Sequence, residues 1–214
     1  MNPIEPIAQL MIEALKFFLP LSFNNLGVAI ILLTAAVKLA LYPLTVQSTV
    51  QMAKMSKVQP ELAELQKKHK GKPELLQKEM MELYKKHGAN PLGGCLPMLL
   101  QIPFFIGLFY ALTGPAFNVI ANQPGVNQQF LWLNSMVLKD PYYILAVLIG
   151  LTTYWTQKVT MSSGSSAQQK QMLYFMPAFI AFISVSFPAG VQIYWIVQNL
   201  LGGIQQVYIL KKKS

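Results

Sequence analysis

The stretch "ILLTAAVKLALYPL", residues 31–44, sets one lysine inside an apolar run long enough to cross a bilayer, and nothing nearby offers it a carboxylate. The run decides the fold class; Lys38 within it raises the functional question. A cation at the centre of a membrane helix costs roughly 2.5–3.5 kcal/mol on insertion scales. Every acid of the chain can be named: Glu5, Glu13, Glu61, Glu64, Glu74, Glu79, Glu82 and Asp140. None falls within an apolar span. Snorkelling to the cytoplasmic interface would have to cover about seven residues, or about 10 Å at 1.5 Å per residue. That exceeds the comfortable reach of a lysine stem. A water-filled cavity open to the cytoplasm accounts for Lys38 better, and an unpaired cation there suits a passing anionic group.

The rest of the chain fits that setting. Of 214 residues, 53% are hydrophobic and 12% charged, and the mean hydropathy is +0.40. Soluble domains carry roughly 25% charged residues. Five windows of about 17–22 residues are nearly free of charge, the length that crosses a hydrocarbon core of about 30 Å. An all-α integral membrane protein with five transmembrane helices is expected. The chain has no arginine, and fourteen of its seventeen lysines fall in residues 54–86, at 158 and 170, and in the tail at 211–213. Alternating spans would put all of these on one side, which the positive-inside rule makes cytoplasmic. The N-terminus is then outside and the C-terminus in the cytoplasm of a multi-pass protein. The start of the chain lacks a basic region and a small-residue cleavage site and does not read as a signal peptide.

Four regions follow. Residues 1–20 carry Ile4, Ile7, Ala8, Met11, Leu15 and Phe18 at helical spacing opposite Glu5, Gln9, Glu13 and Lys16, an amphipathic helix for the outer interface. Residues 21–46 hold the first span, closed by Pro43. Residues 47–89 are polar and periodic in two pieces broken at "KGKP", a cytoplasmic helical hairpin with Pro73 in the first turn of its second helix. Residues 90–214 hold spans two to five. Span two starts with Asn90 as N-cap and is kinked by Pro97 and Pro103; an outer loop over 114–140 carries "FLWL" as an interfacial anchor. Asp140 caps span three, "MSSGSSAQQK" is a flexible cytoplasmic loop, and span four is so short that local bilayer thinning is expected.

Several polar residues could line a cavity around Lys38. Thr34 lies one turn earlier on the same face, Gln101 is in span two and Gln157 ends span three. Span five carries a stripe of Gln192, Trp195, Asn199 and Gln206. Each amide alone is accounted for by an interhelical hydrogen bond; beside an unpaired lysine, the set points to a wet cavity. The hairpin carries nine lysines and five glutamates. Its recruitment surface would comprise Lys54, Lys57, Lys67, Lys68, Lys85 and Lys86 with Met80 and Met81, facing anionic lipid, ribosomal RNA or incoming polypeptide. The bland alternative is a solvated helical pair whose methionines pack inward. Cys95 reads as a small core residue, and His69 and His87 stand at no metal-ligand spacing. Neither cofactor nor metal is called for. No nucleotide-binding motif, paired carboxylate or nucleophile triad appears, which argues against an enzyme.

The ordered series "VKLALYPLT", "MAKMSKVQPELAELQKKHK", "KEMMELYKKHGANPLGGCLPMLLQIPFFIGLFYAL", "DPYYIL", "MPAFIAF" and "FPAGVQIYWIVQNL" closely resembles the YidC family of membrane-protein insertases, relatives of those in mitochondria and chloroplasts. The resemblance runs from about Leu19 to Leu210. It implies a five-helix core in the bacterial inner membrane, an outer amphipathic helix, a cytoplasmic hairpin and a hydrophilic groove closed to the outside. It also implies that Lys38 stands at the groove cation, usually arginine in bacterial members, with Thr34 as its polar neighbour and Trp195 across the groove. Lysine keeps the charge and loses the bidentate fork. The large extracytoplasmic domain of many members is not in this sequence, so a minimal member or an excised core is expected. The implied partners are nascent membrane proteins and the lipid bilayer, with the Sec translocon and the ribosome as further candidates. The competing class is a channel or small-solute transporter built on the same cavity.

Overall fold

The structure is a computed structural model that describes the backbone of residues 5–89, 91–161 and 167–213, and the side chains within those ranges except at 91–101, 167–169 and 213. Asn90, the side chains of Cys95 and Gln101, and residues 162–166 of the "MSSGSSAQQK" stretch lie outside it. Among the described residues there are nine α-helices: α1 Glu5–Leu21, α2 Leu26–Ala40, α3 Tyr42–Lys68, α4 Pro73–Lys86, α5 Pro91–Thr113, α6 Pro115–Ala121, α7 Ile144–Thr160, α8 Ala167–Ser184 and α9 Ala189–Lys213. Extended pairing among them is limited to isolated bridges at Asn25–Asn127 and Phe130–Leu133.

The apolar stripe of α1 packs on α5 and α2, with Met11, Ile12, Leu15 and Leu19 buried. Its opposite face carries the Lys16–Glu13 ion pair at 2.6 Å. Pro20 sits in the last turn of α1 rather than beyond it. Asn25 then caps α2, its Oδ1 accepting from the Val28 amide at 3.1 Å. This is the short polar acceptor that a helix start needs.

The first apolar run does not continue straight to Leu44. α2 ends at Ala40 and α3 opens at Tyr42 with Pro43 in its first turn, the two axes bent by 64°. Pro43 has no N–H to extend the ladder of α2, yet it suits the start of a new helix. The hairpin's first helix therefore begins at Tyr42 and runs on to Lys68. At the tip, Gly71 adopts φ +88° and Pro73 opens α4. Val58, Leu62, Leu83 and Ala89 form a small core between α3 and α4, flanked by Met55, Leu65, Met80 and Tyr84.

The loop expected over 114–140 contains a helix that composition hides. α6 starts at Pro115 directly after Gly114 and buries Phe117, Ile120 and Ala121. Further on, Asp140 is buried at 3% exposure, and its carboxylate accepts from Trp132 Nε1 at 3.0 Å, Tyr142 N at 3.1 Å and Leu145 N at 2.7 Å. It thus satisfies two donors at the start of α7 and fixes the preceding loop. Asp140→Ala leaves all three donors unpaired and should lower stability by about 2–3 kcal/mol, read as a drop in the thermal midpoint in detergent. Asp140→Asn, which keeps acceptor oxygen, should lose less.

The main core is concentrated at the end of the bundle away from the hairpin. It draws Leu15 from α1, Leu26, Ile30 and Leu33 from α2, Leu112 from α5, Phe117 and Ile120 from α6, and Val191 and Ile193 from α9. Towards the hairpin, α9 is flanked by α2, α3 and α7. There the packing turns polar. Among the described residues no single helix is both long and apolar enough to cross a membrane. Two bent pairs are, α2 with α3 and Ile102–Thr113 of α5 with α6, the latter bent by 57°.

Candidate functional site

Lys38 lies in the last turn of α2 and is half-buried. Its ammonium reaches α9 at Gly202: a Cβ built on that glycine would stand 3.2 Å from Lys38 Nζ. Among the described residues the ion pairs are Lys16–Glu13, His69–Glu79 and His87–Glu61, so no carboxylate answers Lys38. Gln205 Nε2 approaches the Lys38 carbonyl at 3.5 Å. Gln205 Oε1 and Gln51 Oε1 are buried acceptors without a hydrogen-bond partner among the described residues. Neither glutamine stood out in the sequence, nor did Gly202 and Gly203, although a Gly-Gly pair inside an apolar helix is a signal of close approach. A Cβ on Gly203 would collide with the indole of Trp155 on α7, with ring carbons at 2.7 and 2.9 Å. Adjacent glycines thus admit Lys38 on one side of α9 and Trp155 on the other.

The other expected groove residues separate into kinds. Thr34 is 1% exposed, and its hydroxyl donates to the Ile30 carbonyl at 2.7 Å within its own helix. Gln192, also 1% exposed, donates to the carbonyls of Ser184 at 2.6 Å and Phe187 at 3.0 Å. It holds the turn between α8 and α9. Asn199 bridges α9 to α7 through the hydroxyls of Thr153 at 2.9 Å and Thr152 at 3.2 Å. Gln157 and Gln206 are half-buried. Trp195 faces an apolar cleft of about 230 Å³ lined by Phe105, Ile106, Phe109, Ile183 and Phe187. Its ring meets Phe105 edge-on at 5.0 Å and stacks on Phe187 at 6.2 Å. The structure therefore brings Lys38 together with Gly202 and Gln205, and places Trp195 in a separate, greasy cleft between α5 and the α8–α9 turn.

On the hairpin Lys54, Lys57, Lys67, Lys68, Lys85 and Lys86 are exposed, Met81 is 48% exposed, and Met80 is partly buried against the hairpin core. His69 Nε2 stands 2.8 Å from Glu79 Oε2, in ion-pair range though too poorly aligned for a hydrogen bond. His87 approaches Glu61 at 3.2 Å. The two histidines tie the helices to each other.

Residues 18–214 match the family model described as 60Kd inner membrane protein. The chain belongs to that family, the YidC family. The membrane protein insertase YidC of Helicobacter pylori is 42% identical over 188 residues, 88% of this chain and 33% of the relative. That of Maridesulfovibrio salexigens is 42% identical over 211 residues, 96% of this chain and 38% of the relative. The chain thus spans about a third of the length of these relatives. A crystal structure of an active YidC insertase with its first transmembrane domain resolved superimposes with a TM-score of 0.71 at 24% identity, covering 97% of this chain and 46% of that one. The all-helical fold is shared.

Within the YidC fold this site can do two physical things. An ammonium without a counter-ion attracts a carboxylate or a backbone carbonyl and lowers the cost of drawing it out of water. A cleft lined by aromatic and aliphatic side chains accepts an apolar segment. Among the described residues, those at the site can bind and solvate, and none forms a nucleophile–base pair.

Proposed function

We propose that this chain is the working core of a membrane-protein insertase, which moves a short polar flank of a nascent helix across the bilayer while the apolar part leaves into lipid. The observation that carries this reading is Lys38, an ammonium without a carboxylate among the described residues and set against Gly202 of α9, in a member of an inner-membrane protein family. The relatives named as insertases support it.

Five crossings, with the hairpin in the cytoplasm and the N-terminus outside, agree with the lysine distribution. A client meets the hairpin's lysines and Met81 first. Its flank then enters beside Lys38, with Gln157 as further polar lining, while Gln192 holds the α8–α9 turn and Asn199 ties α9 to α7. α8 rests on α7 and leaves Phe175, Phe179 and Phe182 exposed. That aromatic face and the Trp195 cleft offer the apolar segment greasy surfaces on its way into lipid, whose favourable partition pulls the reaction forward. An inside-negative potential adds about 2.3 kcal/mol per 100 mV for each negative charge moved outward. The Sec translocon and the ribosome would deliver clients and are not required by this mechanism.

The test is insertion of a small single-span client with an acidic N-tail into proteoliposomes holding the purified protein and a trapped small dye. Insertion above protein-free liposomes with the dye retained is expected. Dye flux without insertion would instead identify a channel or transporter.

A further inference from the structure

At the end of the bundle away from the hairpin, three bulky apolar residues adopt left-handed backbone: Phe23 at φ 53°, Leu131 at φ 54° and Tyr143 at φ 58°. A Cβ opposes that conformation, which glycine and asparagine enter far more readily. Burial does not compensate, since the three residues are 94%, 74% and 58% exposed respectively. Strain held in place to present an apolar side chain outward points to something that receives it.

A polar framework binds the three into one region. Asn127 N donates to the Asn24 carbonyl at 2.8 Å, Leu26 N donates to the Asn127 carbonyl at 2.9 Å, and Asn25 Nδ2 donates to the Gln129 carbonyl at 2.9 Å. These bonds tie the Phe23 turn to the outer loop. Phe130 and Leu133 exchange backbone bonds at 3.0 and 2.9 Å, closing the tight turn that carries Leu131. Its neighbour Trp132 donates to Asp140, whose carboxylate also takes the amides on either side of Tyr143, those of Tyr142 and Leu145.

The chemistry of the region selects the receiver. In residues 17–25 and 116–143 the charged residues are Lys139 and the buried Asp140. Nine asparagines and glutamines supply most of the remaining polarity, with aromatic and aliphatic side chains among them. Such a surface, amphipathic and poor in charge, matches the headgroup zone of a bilayer, where Tyr and Trp concentrate. We propose that Phe23, Leu131 and Tyr143 form an anchor that enters the boundary between headgroups and acyl chains at that end and fixes the depth of the bundle in the membrane. This rests on the membrane reading above.

The test places a nitroxide label, one at a time, at Phe23, Leu131, Tyr143, Gln123 and Phe182 of the Cys95→Ala protein in phosphatidylethanolamine–phosphatidylglycerol vesicles. Collision rates with oxygen and with a water-soluble nickel chelate are measured. Phe182, on the exposed face of α8, reports the membrane reading, and Gln123, in the same outer loop, reports water. The three anchor labels are expected to show an oxygen-to-nickel ratio several-fold above that of Gln123 and below that of Phe182. Ratios equal to Gln123, with Phe182 in lipid, would overturn the anchor and leave the membrane reading standing. Shielding from both reagents would also overturn it, by showing protein in the place of lipid. A Phe182 label in water would overturn the membrane reading itself and the anchor with it.

Discussion

Lys38→Glu is expected to reduce insertion of an acidic-tailed client at least about tenfold, which corresponds to about 1.4 kcal/mol, while Lys38→Arg keeps most of the activity. A pair of unit charges 4 Å apart interacts by about 4 kcal/mol at an effective dielectric constant of 20, so losing a fraction of that attraction suffices. The substitution also makes the interaction repulsive. Arginine retains the charge, and Gly202 presents no side chain in its way. Lys38→Ala should fall between, since it removes the attraction for the acidic tail without adding a repulsion. Proteoliposome insertion, normalised to protein with matching helical circular dichroism, separates these outcomes. Equal activity of all three variants would reduce Lys38 to a residue of topology or hydration.

Gly203→Leu should be the most damaging single change to the fold. The Cβ alone would meet the Trp155 ring at 2.7 and 2.9 Å, and a full leucine would have to push α7 away from α9. Overpacking of this kind costs about 1–3 kcal/mol for smaller insertions; about 3 kcal/mol is expected here, with loss of the Asn199 bonds to Thr152 and Thr153 that lie one turn away. Thermal unfolding in detergent measures it. Gly202→Ala offers the internal contrast, because among the described residues its new methyl meets only the end of a flexible lysine. That protein should fold normally and insert acidic-tailed clients several-fold more slowly as Lys38 is displaced. A comparable loss of stability in both variants would show that the two glycines serve packing alone.

Much of this was legible in local chemistry. The amphipathic period of α1, the break at "KGKP" and the capping carboxylate of Asp140 are each written within a few residues of where they act. The isolation of Lys38 was legible for a different reason: with eight acids in the chain, each could be followed and placed elsewhere. What escaped depends on partners distant in sequence. Pro43, read in the sequence as closing the first span, instead lies in the first turn of α3, after a 64° bend that no local pattern announces. α6 hides because a seven-residue helix sits in a stretch dominated by loop formers. Gln192 and Asn199 share a stripe with Trp195 on paper, yet one holds a turn, one bridges to α7 and the tryptophan lines a separate apolar cleft. Periodicity assigns residues to a face; it does not say what meets that face.

The sign of the charge at residue 38 is expected to select what crosses the membrane. The most direct measurement inserts two clients, identical except for an acidic or a basic N-tail, into proteoliposomes of the native protein and of Lys38→Glu, without an imposed potential. The native protein should favour the acidic tail, and Lys38→Glu should lose or invert that preference. An acidic-to-basic ratio that is the same for both proteins would contradict the account.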